Sequence, residues 1–465
     1  MSIKKKSLCA LMATALLCCG CSQAQESGIT VNGEAVNTDK TAAVYAESIT
    51  ETHEDVAAQY KDLANTVIRI TKGGEYEIAG IAENTQIRIA APQEEVTLIL
   101  NNAQISCLTA PAIYIEAAAD PQEVGKAGVT LVLAEGSTNI IQGSHVAEYV
   151  DANGIEIDND GAISSNVSLA IDGSGTLKVT GDKEGIESKL HLTIHDGNIE
   201  IVSKDDALNA SEDGVSAITI NDGIINCSVQ NGEEGDGIDS NGYIYINGGS
   251  VLAQAHSDSM DSGLDADLGI IVNGGTVCAT GNMYEEISDK SAQAHVQFYF
   301  AERQTGGVPL VITDTENNYI LAYTPVNDYT ILELSLPNLI DGTTYYLYSG
   351  GTVTGTLTNG IYTTVESYEG GTQLAHRGIM QGGGRPDFNL GERPDFENMP
   401  KPEGMERPDN MKRPEGMERP EGFEPPRGGF GGNNFANDAE QSVEFIIDSN
   451  SRVYHGVAFY KQNTP

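Results

Sequence analysis

A glycine that recurs every 26 residues constrains the fold of this chain more than any other feature of its sequence. The four occurrences are Gly197, Gly223, Gly249 and Gly275. Apolar residues stand five and three places before each glycine and two and four places after it, so alternate side chains face the same way. The pattern predicts two short strands joined by a tight turn, and self-similarity at this period is typical of a solenoid. Since no long helical pattern lies between the strands, an all-β parallel β-helix is favoured over a βαβ sheet or a leucine-rich horseshoe.

Each repeat also carries an acidic corner, and the corners lie in register. They occupy residues 184–188, 206–210, 236–240 and 262–266. The central apolar residue of each corner is predicted to face the interior, which leaves its acidic neighbours stacked outside, about 4.8 Å from coil to coil. These central residues are Ile186, Leu208, Ile238 and Leu264. Like charges held that close repel one another unless a cation lies between them.

The cation predicted from this pattern is Ca²⁺, a hard ion that takes oxygen ligands at roughly 2.4 Å. The residues at the centre of the predicted site are Asp205, Asp206, Asn209, Asp236 and Asp239. The full set of predicted metal ligands is Glu184, Glu187, Asp205, Asp206, Asn209, Asp236, Asp239, Asp258, Asp261 and Asp265. No catalytic residue is predicted.

The net charge of −41 limits the classes of partner. It disfavours nucleic acid and anionic membrane surfaces, and it favours cations. An acidic ligand would therefore bind only through a bridging cation or a local basic patch. The alternative interpretation is that the charge serves solubility alone.

The N-terminus has the pattern of an export signal. Three lysines precede an apolar run from Leu8 to Cys19, which is too short to span a membrane. The Gly20-Cys21 step resembles a bacterial lipobox, although Cys18 stands where leucine is usual. Residues 1–20 are therefore predicted to be a lipoprotein signal peptide, with Cys21 lipidated and the protein anchored on the extracellular face of the cell membrane. The alternative is a cleaved and fully secreted protein. Membrane contact is expected only through this lipid.

Three further cysteines are predicted to be free and mostly buried. The repeat places Cys227 facing inward and Cys278 facing outward, two coils apart. That separation is about 9.6 Å from the spacing of stacked strands, which exceeds the reach of a disulfide. With Cys107, these residues therefore do not predict a disulfide framework.

The segments before and within the repeats have distinct patterns. Residues 21–66 are polar and are predicted to form a spacer and an N-terminal cap, with a short helix at 54–63. Regular strand signals begin at Val67, and residues 67–290 are predicted to form the β-helix. A recurring asparagine predicts a ladder of stacked amides at the turns. Its members are Asn221, Asn247 and Asn273.

The 26-residue period is lost after Tyr284. Residues 291–375 read as ordinary strands and are predicted to form a β-sheet or sandwich that covers the open end of the solenoid. Residues 376–433 are rich in Pro, Gly and Met, and this composition predicts a disordered insertion. It is interpreted as a solvated loop or as a partner-binding arm. Residues 434–465 are predicted to hold terminal strands that rejoin the preceding sheet.

Several stretches resemble a family of secreted bacterial carbohydrate-binding domains. They are Gly73–Ile78, Val96–Ile105, Leu133–Ser137, Gly235–Ser240 and Asp341–Tyr346, and the resemblance covers roughly residues 65–375. The resemblance implies a right-handed parallel β-helix that binds calcium. It also implies binding of plant cell-wall polysaccharide, notably polygalacturonate and cellulose. The corners at Lys183-Glu184 and Ser262-Gly263 depart from the commoner double-acid pattern, which predicts weak or empty first and last sites.

The predicted function is non-catalytic, calcium-dependent binding of an acidic polysaccharide such as pectin by a monomeric surface lipoprotein. A uronate carboxylate would complete the coordination shell of the ion; the alternative is that the ions only fix the corners and do not contact the ligand. One alternative is a polysaccharide lyase of the same fold, which needs an Arg or Lys base beside calcium. Residues 89–301 contain no Arg, but Lys183, Lys189 and Lys204 lie near the corners and keep this alternative open. Another alternative is an adhesin that binds a protein.

Overall fold

The structure, a computed structural model, describes residues 28–50, 64–150, 156–379, 441–447 and 452–460. These residues form an all-β fold with large sheets. In this part of the chain, no helix has the length and hydropathy that crossing a bilayer requires. The predicted signal peptide with Cys21, the predicted helix at 54–63 and nearly all of the Pro-rich segment lie outside the described residues.

The chain divides into two compact units, Met1–Ile201 and Val202–Pro465. The strands of the first unit are β1 (Ile29–Val31), β2 (Glu34–Ala35), β3 (Val44–Thr50), β4 (Ala64–Ile70), β5 (Gly74–Glu83), β6 (Thr85–Ala90), β7 (Val96–Ser106), β8 (Ile113–Ala117), β9 (Val129–Leu133), β10 (Thr138–Gly143), β11 (Val146–Val150), β12 (Glu156–Asn159), β13 (Gly161–Ser165), β14 (Leu169–Asp172), β15 (Thr176–Gly181), β16 (Glu184–Ser188) and β17 (His191–Ile194). The next strand, β18 (Asn198–Ser203), crosses the boundary.

Parallel ladders build the first unit. One ladder joins β4, β6, β8, β13 and β16, and another joins β5, β7, β9, β14 and β17. Apolar residues stack in register along them, as where Ile87 pairs with Ile113 and Ile113 with Ile163. All three side chains are fully buried. The first step is 26 residues long and the second is 50, so the chain segments between successive strands of this ladder differ widely in length.

The strands of the second unit form a regular array followed by a separate sheet. The array consists of β19 (Leu208–Ala210), β20 (Ala217–Ile220), β21 (Ile224–Val229), β22 (Ile238–Ser240), β23 (Tyr243–Ile246), β24 (Ser250–Gln254), β25 (Leu264–Ala266), β26 (Gly269–Val272) and β27 (Thr276–Gly281). The sheet consists of β28 (His295–Gln304), β29 (Leu310–Asp314), β30 (Tyr319–Tyr323), β31 (Tyr329–Ser335), β32 (Thr344–Ser349), β33 (Thr352–Thr358), β34 (Ile361–Glu369), β35 (Thr372–Ala375), β36 (Gly378–Ile379), β37 (Phe445–Ile446) and β38 (Arg452–Phe459).

The array confirms the predicted register. β20, β23 and β26 pair in parallel at steps of 26 residues, as do β21, β24 and β27. In the third ladder, Leu208 pairs with Ile238 and Ile238 with Leu264. The first of these steps is 30 residues long because the connection before β22, residues 230–237, is four residues longer than the connection before β19, residues 204–207. All three side chains are fully buried, as predicted.

The asparagine ladder is present. The side-chain amide of Asn247 donates to the Asn221 Oδ1 at 2.9 Å, and that of Asn273 donates to the Asn247 Oδ1 at 2.9 Å. Each amide therefore satisfies part of the hydrogen-bonding capacity of the next one along the array.

The last sheet closes the array with a reversed strand. β31 pairs antiparallel with β27 and with β28, while β38 pairs in parallel with β28 and β37 pairs with β32. The terminal strands therefore pair with strands of the preceding sheet. The core of this sheet includes aromatic contacts such as Phe298 against Phe445 and Phe300 against Tyr329.

The three described cysteines are buried and form no disulfide with one another, as predicted. Cys227 and Cys278 are both fully buried. Cys278 faces away from the array interior and lies in the same apolar cluster as residues of the last sheet, including Phe298 and Tyr323. Burial raises the pKa of both thiols. They are therefore protonated at neutral pH.

Candidate functional site

Three aspartates of the second unit converge on one point. Asp236, Asp239 and Asp265 each present a carboxylate oxygen, and the three oxygens all lie within 4.8 Å of one another. Asp239 and Asp265 are paired residues of β22 and β25, and Asp236 lies in the corner just before β22. Since the apolar residues beside them face the interior of the array, the ladder places these carboxylates together on its outer side.

Backbone hydrogen bonds hold the first acid of two corners, 206–210 and 236–240, in place. The Asp206 Oδ1 accepts from the Asp236 N–H at 2.7 Å, and the Asp236 Oδ1 accepts from the Ser262 N–H at 2.6 Å. Asp261 takes a similar role, since its Oδ2 accepts from the Gly235 N–H at 2.6 Å. Each acid therefore uses one oxygen to link two successive corners.

The corner aspartates have raised pKa values. Burial and the neighbouring charges of Asp239 and Asp205 raise the pKa of Asp206 well above its ordinary value. Burial and the charge of Asp206 do the same for Asp236. For Asp239, burial and then Asp265 raise the pKa to about 7. The folded chain therefore holds these carboxylates in a position where ionisation is costly unless positive charge is supplied.

The other predicted ligands of this unit surround the group without all joining it. Asn209 donates from its amide to the Asp206 Oδ2 at 3.3 Å. The charges of Asp205 and Asp261 each raise the pKa of Asp206. Asp258 differs, since its exposed carboxylate forms an ion pair with the Arg303 Nη2 at 2.9 Å.

Arg303 was not among the residues predicted from the sequence. Its Nε also lies 3.6 Å from the Asp328 Oδ2, so it joins the Asp258 loop to the segment before β31. It lies two residues beyond the Arg-free stretch that ends at position 301, and no local motif marks it. Only the folded chain brings it to this loop.

The predicted ligands of the first unit have a different environment. Glu187 is almost fully buried and pairs with the Lys189 Nζ. The Glu187 Oε2 also accepts from the Ser164 hydroxyl at 2.9 Å and from the Asp160 N–H at 3.1 Å. Glu184 begins β16 and is also buried, while the adjacent Lys183 pairs with Asp160.

Lysine side chains thus offset the acidic charge of the first unit's corner. In the second unit, the converging group contains only carboxylates. An all-oxygen donor set with a large excess of negative charge suits a hard cation such as Ca²⁺. The residues that would hold it are Asp236, Asp239 and Asp265, with Asp206 beside them.

Comparison with known proteins gives one family match. A family model described as "Carbohydrate-binding domain-containing protein" matches residues 64–305, a range that includes every acidic corner. No curated protein matches the chain. A solved structure titled "Structure of the polysaccharide lyase-like protein from C. thermocellum, Gadolinium derivative" aligns at 25% identity with a TM-score of 0.35, over 46% of this chain and 90% of that chain. At that TM-score, the alignment supports no inference about this chain.

Proposed function

Because the chain belongs to the family of carbohydrate-binding domain-containing proteins, we propose that it is a non-catalytic protein that binds an acidic polysaccharide through Ca²⁺. The observation that carries the proposal is the convergence of Asp236, Asp239 and Asp265 within 4.8 Å. The ion would lie between these carboxylates, and a uronate of the polymer would bind to the ion.

The coordination chemistry supports a bridging role. Ca²⁺ takes six to eight oxygen ligands. One of the carboxylate oxygens, the Asp236 Oδ1, already accepts a backbone N–H. The three aspartates therefore leave ligand positions on the ion open. A polymer carboxylate can fill them, and it would otherwise be repelled by a chain of net charge −41. Polygalacturonate is the natural probe, since every sugar of it carries a carboxylate.

The fold that we propose for the repeats is a right-handed parallel β-helix closed by the last sheet. The parallel ladders at 26-residue steps support it, as does the right-handedness of parallel crossovers in general. In such a fold the acidic corners would form a straight row, and a straight row of binding sites suits a linear polymer. A crystal structure in which the connections are left-handed would contradict this part of the proposal.

Removal of calcium is expected to abolish polygalacturonate binding. Titration calorimetry with and without EDTA measures this directly. The Asp236→Asn and Asp265→Asn variants are expected to weaken binding at least about tenfold, since each removes one of three converging charges. Asp314→Asn is the matched control, because Asp314 is a half-buried aspartate of the last sheet whose carboxylate accepts hydrogen bonds from residues of its own turn, Glu316 and Asn318. Binding that survives full chelation would contradict the bridging role.

One observation favours a lyase as a second candidate. Arg303 pairs with Asp258, three residues from the corner acid Asp261, and a lyase would use a basic side chain beside the metal. A lyase would convert polygalacturonate into unsaturated, ultraviolet-absorbing products in the presence of Ca²⁺. If the wild-type protein forms such products and the Arg303→Ala variant does not, the protein is an enzyme and the binding proposal is wrong.

We also propose that the chain is exported and anchored through a lipid on Cys21. The lysines, apolar run and Gly20-Cys21 step of the N-terminus support this proposal. The Cys21→Ser variant is expected to leave the membrane fraction and to lose labelling by a radioactive fatty acid. Cys18→Ser is the matched control and is expected to stay labelled. Equal labelling of both variants would exclude the anchor.

A further inference from the structure

Apolar residues recur at every third position of the Pro-rich segment, from Phe396 to Pro426. Proline and methionine alternate in this series from Pro402 to Pro420, and Phe423 lies beyond them. A polyproline II helix has three residues per turn, so residues three apart lie on one face of it. In that conformation the series would form one apolar stripe, whose successive members are about 9.3 Å apart.

The other two series of the segment are polar and opposite in charge. One of them carries the basic residues Lys401, Arg407, Arg413 and Arg419. The other carries the acidic residues Glu403, Glu406, Asp409, Glu415 and Glu418. A segment that only needs to be solvated does not require residue types sorted into three faces. The pattern therefore indicates a surface on which the apolar stripe packs.

A surface of matching dimensions lies on the last sheet. Thr313 of β29 pairs with Tyr319 of β30 on one side and with Tyr346 of β32 on the other. The alternate residues Ile312 and Leu347 belong to the apolar core, so these three side chains face the opposite side of the sheet. The two tyrosines are two strands apart, about 9.6 Å, with the smaller threonine between them. We call these three residues the tyrosine slot.

Aromatic groups border one end of the slot and acidic groups the other. Tyr348, the next residue of β32 on this face, packs edge-on against Tyr368 of β34, with ring centroids 6.1 Å apart. At the opposite end, the turn that follows β29 carries Asp314 and the exposed Glu316. Aromatic grooves suit proline and methionine side chains, and the acidic turn suits a basic face beside them.

Thr313 independently points to a missing ligand. The residue is only 5% exposed, and its Oγ1 has no hydrogen-bond partner among the described residues. A largely buried hydroxyl without a partner costs free energy. The carbonyl groups of a polyproline II helix make no internal hydrogen bonds, so one of them can accept from this hydroxyl.

The chain enters and leaves the Pro-rich segment beside the slot. β35, which leads into the segment, and β37, which follows it, both pair with β32. His376 and Ser442 join the two ends through backbone hydrogen bonds of 2.8 and 3.0 Å. About 15 residues on either side connect the apolar stripe to the described strands, and they span about 50 Å when extended. The stripe is therefore held at a high local concentration near the slot.

We infer that the apolar stripe of residues 396–426 docks as a polyproline II helix into the tyrosine slot of its own chain. Its prolines and methionines pack between Tyr319 and Tyr346, and its basic face lies beside the acidic turn. The Thr313 hydroxyl donates to one of its carbonyl groups. The slot lies outside the family match at residues 64–305 and shares no residue with the acidic corners, so the inference does not depend on the proposed function.

NMR of the full chain, labelled with ¹³C at the methionine methyl groups, tests the inference. The signals of Met405, Met411 and Met417 are expected to be shifted from their random-coil positions by the ring currents of the tyrosines. Tyr319→Ala/Tyr346→Ala is expected to lower the docked population at least about tenfold, which is the effect of losing two aromatic anchors. Tyr243→Ala, at a partly exposed tyrosine of the repeat array, is the matched control and is expected to keep the shifts.

Deletions within the stripe separate its period from its composition. Removing Asn410 places the two halves of the stripe a third of a turn apart and is expected to lower the docked population several-fold. Removing residues 409–411 keeps the period and is expected to preserve the shifts of Met405 and Met417.

Two results would overturn the inference: methionine signals at random-coil positions in the wild-type protein, or shifts that survive the double tyrosine substitution. Shifts that vanish on dilution would place the segment on a second copy of the chain and would also overturn it. Binding of polygalacturonate with Ca²⁺ is expected to be unchanged in every variant. A failure of that binding would instead contradict the proposed metal bridge.

Discussion

Without divalent cations, the free energy of unfolding is expected to fall as the pH rises from about 4 to 7, and Ca²⁺ is expected to abolish this fall. The cause is the raised pKa of Asp206, Asp236 and Asp239, the last of which reaches about 7. Between the ordinary pKa of 3.8 and these raised values, the folded chain holds more protons than the unfolded chain. Stability is therefore fully present at low pH and is lost as the pH rises through this range.

Chemical denaturation from pH 4 to 8, in EDTA and in millimolar Ca²⁺, measures this effect. Other carboxyls have the opposite influence, such as Asp182, whose pKa is lowered because His145 and Ser144 donate hydrogen bonds to it. Comparison with Asp239→Asn isolates the corner, since this variant is expected to show a shallower fall in EDTA. Because the metal binds the ionised form, Ca²⁺ is also expected to raise the melting temperature more at pH 7.5 than at pH 5. An equal increase in melting temperature with Ca²⁺ at pH 7.5 and at pH 5 would contradict the metal site.

The Gly237→Ala variant is expected to lose about 3 kcal/mol of stability and to lose high-affinity Ca²⁺ binding with it. Gly237 lies between Asp236 and Ile238 in the corner. A Cβ atom there would lie 2.5 Å from the Gln254 backbone nitrogen and 2.6 Å from the Gly263 carbonyl oxygen. Neither atom belongs to a flexible side chain, so the corner itself must shift.

Gly214→Ala is the control for this prediction. Gly214 has a positive φ of 68°, but no atom lies within 4 Å of its added Cβ. Its substitution is expected to cost only about 1 kcal/mol, which is the conformational penalty alone. Denaturant unfolding followed by circular dichroism compares the two variants. Equal losses of stability in the two variants would mean that close contact with the backbone is not the reason why position 237 is a glycine.

The sequence was sufficient to predict the array of the second unit. A strict 26-residue period sets both the register and the inward residues, because a one-residue slip would expose every buried side chain of a strand. Ile238, Leu264 and the asparagine ladder therefore lie where the period predicts. The corner at Asp236 and Asp239 follows from the same register.

The pairing of side chains between distant segments could not be predicted in the same way. Lys183 pairs with Asp160, and Arg303 pairs with Asp258, through contacts that no period encodes. The reversed strand β31 was also missed, since its sequence resembles any other strand and its direction depends on the chain that follows β27.

The reversed pairing of β31 with β27 bears on how such a chain can change in evolution. Each 26-residue segment of the array pairs only with the segments before and after it, whereas the closing strand needs only one edge to pair with. A tandem duplication of one segment would therefore lengthen the molecule by a full rung without disturbing its terminus. The same duplication would copy an acidic corner together with its strands. The length of polymer that the molecule can contact would therefore grow by one repeat at a time.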